Sequence, residues 1–180
     1  MTAPRIKSLT ARQAEKINSK SLRFILRGKP NPILLRSILL NSNNKLALSI
    51  LINHFVNKAK KGDVRAKLLL NRLASEKFNK NVISRGQVLD KFGVFAKEGD
   101  SFGLRGLLVG AKDSDIINRD RALFGLCQLA IQGDGRVLSG LFVGVKDSSK
   151  TNFERALFGL ITLANKGNSS AKKALKGLGY

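Results

Sequence analysis

A chain of 180 residues with 33 Lys and Arg against 12 Asp and Glu carries a formal charge of +21. Its hydrophobic fraction, 43%, supports a sizeable core and is too high for a disordered basic tail. One Cys excludes an internal disulfide, and no apolar run approaches the roughly 20 residues that span a bilayer.

Residues 1–27 hold seven basic side chains, Arg5, Lys7, Arg12, Lys16, Lys20, Arg23 and Arg27, against Glu15 alone. Ser8, Ser19 and Ser21 add a transit-segment look. The plainer reading is a basic amphipathic helix packed on the first repeat. No charged stretch followed by an apolar run opens the chain, so a cytoplasmic location is expected. An organelle matrix is the alternative if residues 1–27 act as a transit segment. Pro30 and Pro32 suit the first turn of a helix and predict one from Ile33 to Leu40. A polar loop, Asn41 to Asn44, precedes an apolar helix over Ala47 to Val56.

From here a regular punctuation sets in: Gly62-Asp63, Gly99-Asp100, Gly133-Asp134 and Gly167-Asn168. Their spacings are 37, 34 and 34, and Gly28 lies 34 before Gly62. Gly permits the left-handed conformation that stops a helix, and Asp or Asn caps the next one. Each pair therefore predicts a tight turn between two helices. Before the turns, Val88, Leu89, Phe92, Phe95 and Ala96 follow helical spacing. Ala122, Leu123, Leu126, Leu129 and Ala130 repeat it, as do Ala156, Leu157, Leu160, Leu163 and Ala164. After the turns come Ala66, Leu69, Leu70 and Leu73, then Leu104, Leu107, Leu108 and Ala111, then Val137, Leu138, Leu141, Phe142 and Val145. Phe124 and Phe158, in register, read as core residues. Thr151 to Glu154 reads as a capping box with Thr151 as the N-cap. β-Branched residues are sparse and strict alternation is absent, so no strand is expected.

The sequence itself repeats. Leu107-Leu-Val-Gly-Ala-Lys-Asp-Ser114 returns 34 residues later as Leu141-Phe-Val-Gly-Val-Lys-Asp-Ser148. Arg121-Ala-Leu-Phe-Gly-Leu and Arg155-Ala-Leu-Phe-Gly-Leu show the same shift. Units of this length bury their apolar faces only by stacking. The expected fold is all-α: a right-handed α-solenoid of stacked helix pairs over residues 28–180, about four repeats and a capping helix, preceded by the basic segment 1–27.

The period resembles tetratricopeptide and Sel1-type repeats, with Phe124-Gly125 and Phe158-Gly159 as their large-then-small pair and Ala66 and Ala171 at a small position of the second helix. The starts Gly62-Asp-x-Arg65 and Gly133-Asp-x-Arg136 resemble HEAT-type second helices instead. Either resemblance implies a scaffold with an interaction surface rather than a substrate.

No catalytic set is legible. His54 and Cys127, each the only one of its kind, lie about two repeats apart, where a solenoid keeps residues separate. Metal sites need several clustered ligands. Asp113, Asp115, Asp134 and Asp147 fall at helix ends, where capping accounts for them. No Gly-rich phosphate loop follows a strand. The chain is therefore read as a non-enzyme without metal or cofactor.

Charge carries the functional expectation. Residues 1–62 hold 13 basic residues and one acid; residues 63–180 hold 20 and 11. Self-repulsion at this level opposes compaction, and a polyanion relieves it. The acid-poor stretch adds Lys29 and Arg36 to the seven basic residues above. Others recur in register: Lys112 with Lys146, Arg121 with Arg155, and Arg65 with Arg136 two units on. Such positions form ladders along a solenoid, although helix C-termini and local acids explain some of them equally well. The expected function is non-catalytic nucleic-acid binding through phosphates, RNA favoured over DNA, in a ribonucleoprotein assembly. The alternative is a protein-interaction adaptor whose groove receives a peptide or acidic partner. A third reading places residues 10–27 on an anionic membrane surface.

Overall fold

The computed structural model describes Ile38 and residues 45–180. The expected segment 1–27, its boundary at residue 27, and the helix over 33–40 apart from Ile38 lie outside the described residues. The described residues from 45 onward form eight α-helices: α1 Lys45–Lys60, α2 Val64–Ala74, α3 Val82–Lys97, α4 Ser101–Gly110, α5 Ile116–Gln132, α6 Leu138–Gly144, α7 Lys150–Asn165 and α8 Ser169–Gly177. A 3₁₀ turn, Gly135–Val137, leads into α6. The described residues contain no strand. None of their helices is long and apolar enough to cross a membrane.

The Gly-Asp signals act as expected. Gly62, Gly99, Gly133 and Gly167 have φ of 87°, 84°, 88° and 89°. A side chain is strained there, so Gly ends each helix at little cost. The next residue then caps the following element. Asp63 accepts the Ala66 N–H, Asp100 that of Phe102, Asp134 that of Arg136, and Asn168 that of Ala171. One otherwise orphaned donor is satisfied at every start.

The chain divides into two compact units, residues 1–88 and 89–180, with the division inside α3. In the first, α1 packs on α2 through Leu48, Leu51, Ile52, Leu70 and Leu73, all at most 2% exposed. The extra three residues of the 37-residue spacing lie here. α2 is one residue longer than α4, and the loop after it, 75–81, is two longer than 111–115. A buried polar knot closes that loop. Asn79 Nδ2 donates to the Leu73 carbonyl at 2.7 Å and to Ser84 Oγ at 3.1 Å. Arg85, only 2% exposed, donates from Nη1 to the Asn79 carbonyl at 2.9 Å.

In the second unit α5 packs against α4, α6 and α7, and α7 against α6 and α8. Leu107, Leu123, Leu126, Leu141 and Leu160 are fully buried. Helices approach closely where glycine faces a neighbour. A Cβ on Gly144 would lie 2.6 Å from both Ala156 Cβ and Leu123 Cδ2. On Gly125 it would lie 2.9 Å from both Leu107 methyls, and on Gly159 2.9 Å from Leu141 Cδ2.

Two sequence expectations fail. Phe124 and Phe158 are not core residues; they are 50% and 55% exposed. At 100° per residue, position 124 falls on the far side of the arc set by Ala122, Leu123, Leu126 and Leu129. Nor does Thr151 cap α7. The helix begins at Lys150, and Ser149 accepts the Asn152 N–H at 3.4 Å. Ser149 is the 34-residue counterpart of Asp115, which caps α5 in the same way through Asn118. Glu154 turns to Lys150 at 3.7 Å.

Candidate nucleic-acid interface

In the second unit, α4 and α6 end at Gly110 and Gly144, and five-residue loops lead to α5 and α7. Both loops are built around a buried carboxylate. Asp113 Oδ1 accepts the Asp115 N–H and Asp147 Oδ1 accepts the Ser149 N–H, each at 2.9 Å. These local bonds let a short polar connection turn without leaving backbone donors unsatisfied.

Arg119 then joins the two loops. Its Nε donates to Asp147 Oδ2 at 2.6 Å and its Nη2 to Oδ1 at 3.0 Å, a two-pronged pair. Its Nη1 donates to the Asp113 and Ser114 carbonyls, each at 2.9 Å. Asn152 Nδ2 donates to Asp147 Oδ2 at 3.0 Å. With Arg119 as the main cause, the Asp147 carboxyl is held down at about 2. Its negative charge is thus already matched within the protein.

Lys112 and Lys146 sit one residue before these aspartates. Both are exposed, and neither forms an ion pair with a described residue. They line one open groove of about 540 Å³, together with Arg119 and Phe142. A second groove, about 470 Å³, shares Phe142 and Lys146 and adds Lys173 and Leu178. The register of Lys112 and Lys146 thus places two free cations on one depression.

The other expected contacts are distributed differently. Arg121 pairs with Asp90 of α3. Arg155 pairs with Asp120 of α5 at 2.7 Å and lies 5.3 Å above the Phe124 ring. Arg121 therefore ties α5 to α3, and Arg155 ties α7 to α5. Arg136 grips its own cap, Asp134, at 2.7 Å, which draws that carboxyl below its usual range. Arg65 is exposed on α2 in the first unit, without an ion pair to a described residue. Arg5, Lys7, Arg12, Lys16, Lys20, Arg23, Arg27, Lys29 and Arg36 lie outside the described residues.

Cys127 is buried, and its Sγ donates to the Arg155 carbonyl at 2.9 Å. Burial pushes the thiol up to about 11, away from nucleophilic use. His54 is half-buried edge-on to Phe55; desolvation, then Lys58, lowers its pKa. The described residues contain no group of three His, Cys, Asp or Glu able to hold a metal.

Sequence reasoning places Lys112 and Lys146 together but misses Phe142 and Lys173 beside them. Phe142 adjoins Leu141 in an apolar stripe and reads there only as packing. Its 34-residue counterparts, Leu108 and Lys176, mark an edge position of the buried face. Set against known proteins, the sequence matches no family model and no curated protein.

Proposed function

We propose that the protein is a non-catalytic, right-handed α-solenoid that binds nucleic acid, RNA in preference to DNA, through phosphates in a ribonucleoprotein assembly. Stacked helix pairs of tetratricopeptide, Sel1 or HEAT type fit the sequence period. One observation carries the functional reading. Lys112 and Lys146 share a groove in which Arg119 already balances the nearby Asp147 carboxylate. The groove holds Lys112, Lys146 and Arg119 against Asp113 and Asp147, and the excess positive charge is left for an external anion. A polyanion gains affinity there by releasing its own counterions.

The test is binding of labelled RNA and DNA by anisotropy across a salt series. Affinity should fall steeply with salt and depend little on sequence. Each phosphate contact contributes about 0.7 to the slope on a single strand and about 0.9 on duplex DNA. Lys112→Gln with Lys146→Gln reports on the groove. Lys16, Lys20, Arg23 and Arg27 changed together to Gln report on the N-terminal segment. Absence of binding to any polyanion at low salt defeats the reading.

A second reading, the adaptor, draws on the exposed rings of Phe124 and Phe158 and on Ile161, 37% exposed. These side chains of α5 and α7 are apolar, and Arg121 and Arg155 are already paired with Asp90 and Asp120. They suit a partner protein better than a phosphate chain.

A further inference from the structure

We infer that the groove between the two loops receives an unpaired nucleotide, with its phosphate on Lys112 and Lys146 and its base stacked on Phe142. The inference rests on the nucleic-acid reading and adds to it the strand state of the ligand. Phe142 is 36% exposed and lines both adjoining grooves, the first with Lys112 and Lys146 and the second with Lys146 and Lys173. An aromatic surface flanked by cations matches a nucleotide in both of its parts: a flat π-face and an anion a few ångströms away. A base inside a duplex has both faces covered by its neighbours. Only an unstacked base can lie on Phe142, whereas the lysines alone accept a phosphate from either kind of strand.

The more exposed ring of Phe124 is a poorer platform. Arg155 already covers Phe124, and its partner Asp120 is 34% exposed. A phosphate approaching there meets that carboxylate. Around Phe142 the carboxylates are committed inward, Asp147 to Arg119 and Asn152, and Asp113 to the Asp115 N–H.

The experiment uses the full chain and three labelled probes of equal length: a single-stranded oligouridylate, an abasic strand and a blunt RNA duplex. Phe142→Leu keeps apolar bulk and removes the π-face; Phe142→Trp keeps the face. Phe142→Leu should weaken oligouridylate binding by about 10-fold with an unchanged salt slope, and Phe142→Trp should restore it. Abasic and duplex binding should be the same for parent and Phe142→Leu. The double change Lys112→Gln with Lys146→Gln should lower the single-strand slope by about 1.4, two contacts' worth. Thermal melts of each variant show whether it is folded. If Phe142→Leu binds oligouridylate as the parent does, or loses affinity equally for all three probes, the stacking inference is overturned. The phosphate reading then still stands on the lysine variants. A parent that binds none of the probes overturns both.

Discussion

Replacing Gly144 by alanine tests whether close helix contact explains the glycines within the helices. The new Cβ would sit 2.6 Å from Ala156 Cβ and from Leu123 Cδ2, where carbon atoms ordinarily stay about 3.5–4.0 Å apart. Both neighbours are fully buried. Leu123 has rotamers to try, but Ala156 Cβ is fixed to the α7 backbone and moves only if the helices separate. Overpacking of this kind costs about 1–3 kcal/mol. Alanine returns less than its full helix preference of ~1 kcal/mol, because Gly144 is the last residue of α6. A net loss of about 1–2 kcal/mol lowers the melting temperature by about 2–8 °C for a chain of this size. Gly93, inside α3 with nothing within 4 Å of its Cβ position, supplies the opposite case. Gly93→Ala should stabilise by about 0.5–1 kcal/mol. Thermal denaturation followed by circular dichroism measures both. A Gly144→Ala protein that melts at or above the parent, or a Gly93→Ala protein that melts well below it, refutes the packing argument.

Acid titration tests the Arg119–Asp147 link. The Asp147 carboxyl titrates at about 2 when folded, against about 3.9 in an unfolded chain. Its folded-state pKa is depressed, so its stabilisation is complete above about pH 4 and is lost as the pH falls toward 2. Asp147→Asn should lower the melting temperature near neutrality and flatten the dependence between pH 4 and 2; an unchanged acid limb would count against the link. Thiol chemistry tests the interior of α5. With its pKa pushed up to about 11 and its side chain buried, Cys127 should react with iodoacetamide at pH 8 at least about 100-fold more slowly in the native protein than in denaturant, and comparable rates would contradict the buried thiol.

The parts of this molecule legible in its sequence are those fixed by local chemistry. Gly62, Gly99, Gly133 and Gly167 announce left-handed turns because few other residues adopt them. The buried faces of α3 and α5 follow from spacing alone. What escapes depends on neighbours distant in sequence. Arg121 and Arg155 reach back 31 and 35 residues for their acids, which no local pattern reveals. Phe124 and Phe158 suit a core by residue type, although their helical angle already turns them outward. The site is legible as two lysines in register. That Asp147 is paired with Arg119, so that neither lysine forms an ion pair with a described residue, emerges only in the folded chain.

Every one of the eight aspartates has a structural occupation. Asp63, Asp100, Asp115 and Asp134 start helices, Asp113 and Asp147 turn loops, and Asp90 and Asp120 moor arginines from the second helix after their own. Lys112 and Lys146 have no such occupation. These aspartates and these two lysines therefore respond differently to substitution. Replacing a capping aspartate by alanine costs about 0.5–2 kcal/mol. Loss of an idle surface lysine stays within about ±0.5 kcal/mol. The aspartates are thus held by bonds within the fold, and Lys112 and Lys146 are not. Substituting either lysine therefore changes the surface charge while leaving the fold's own bonds in place, whereas substituting these aspartates changes both.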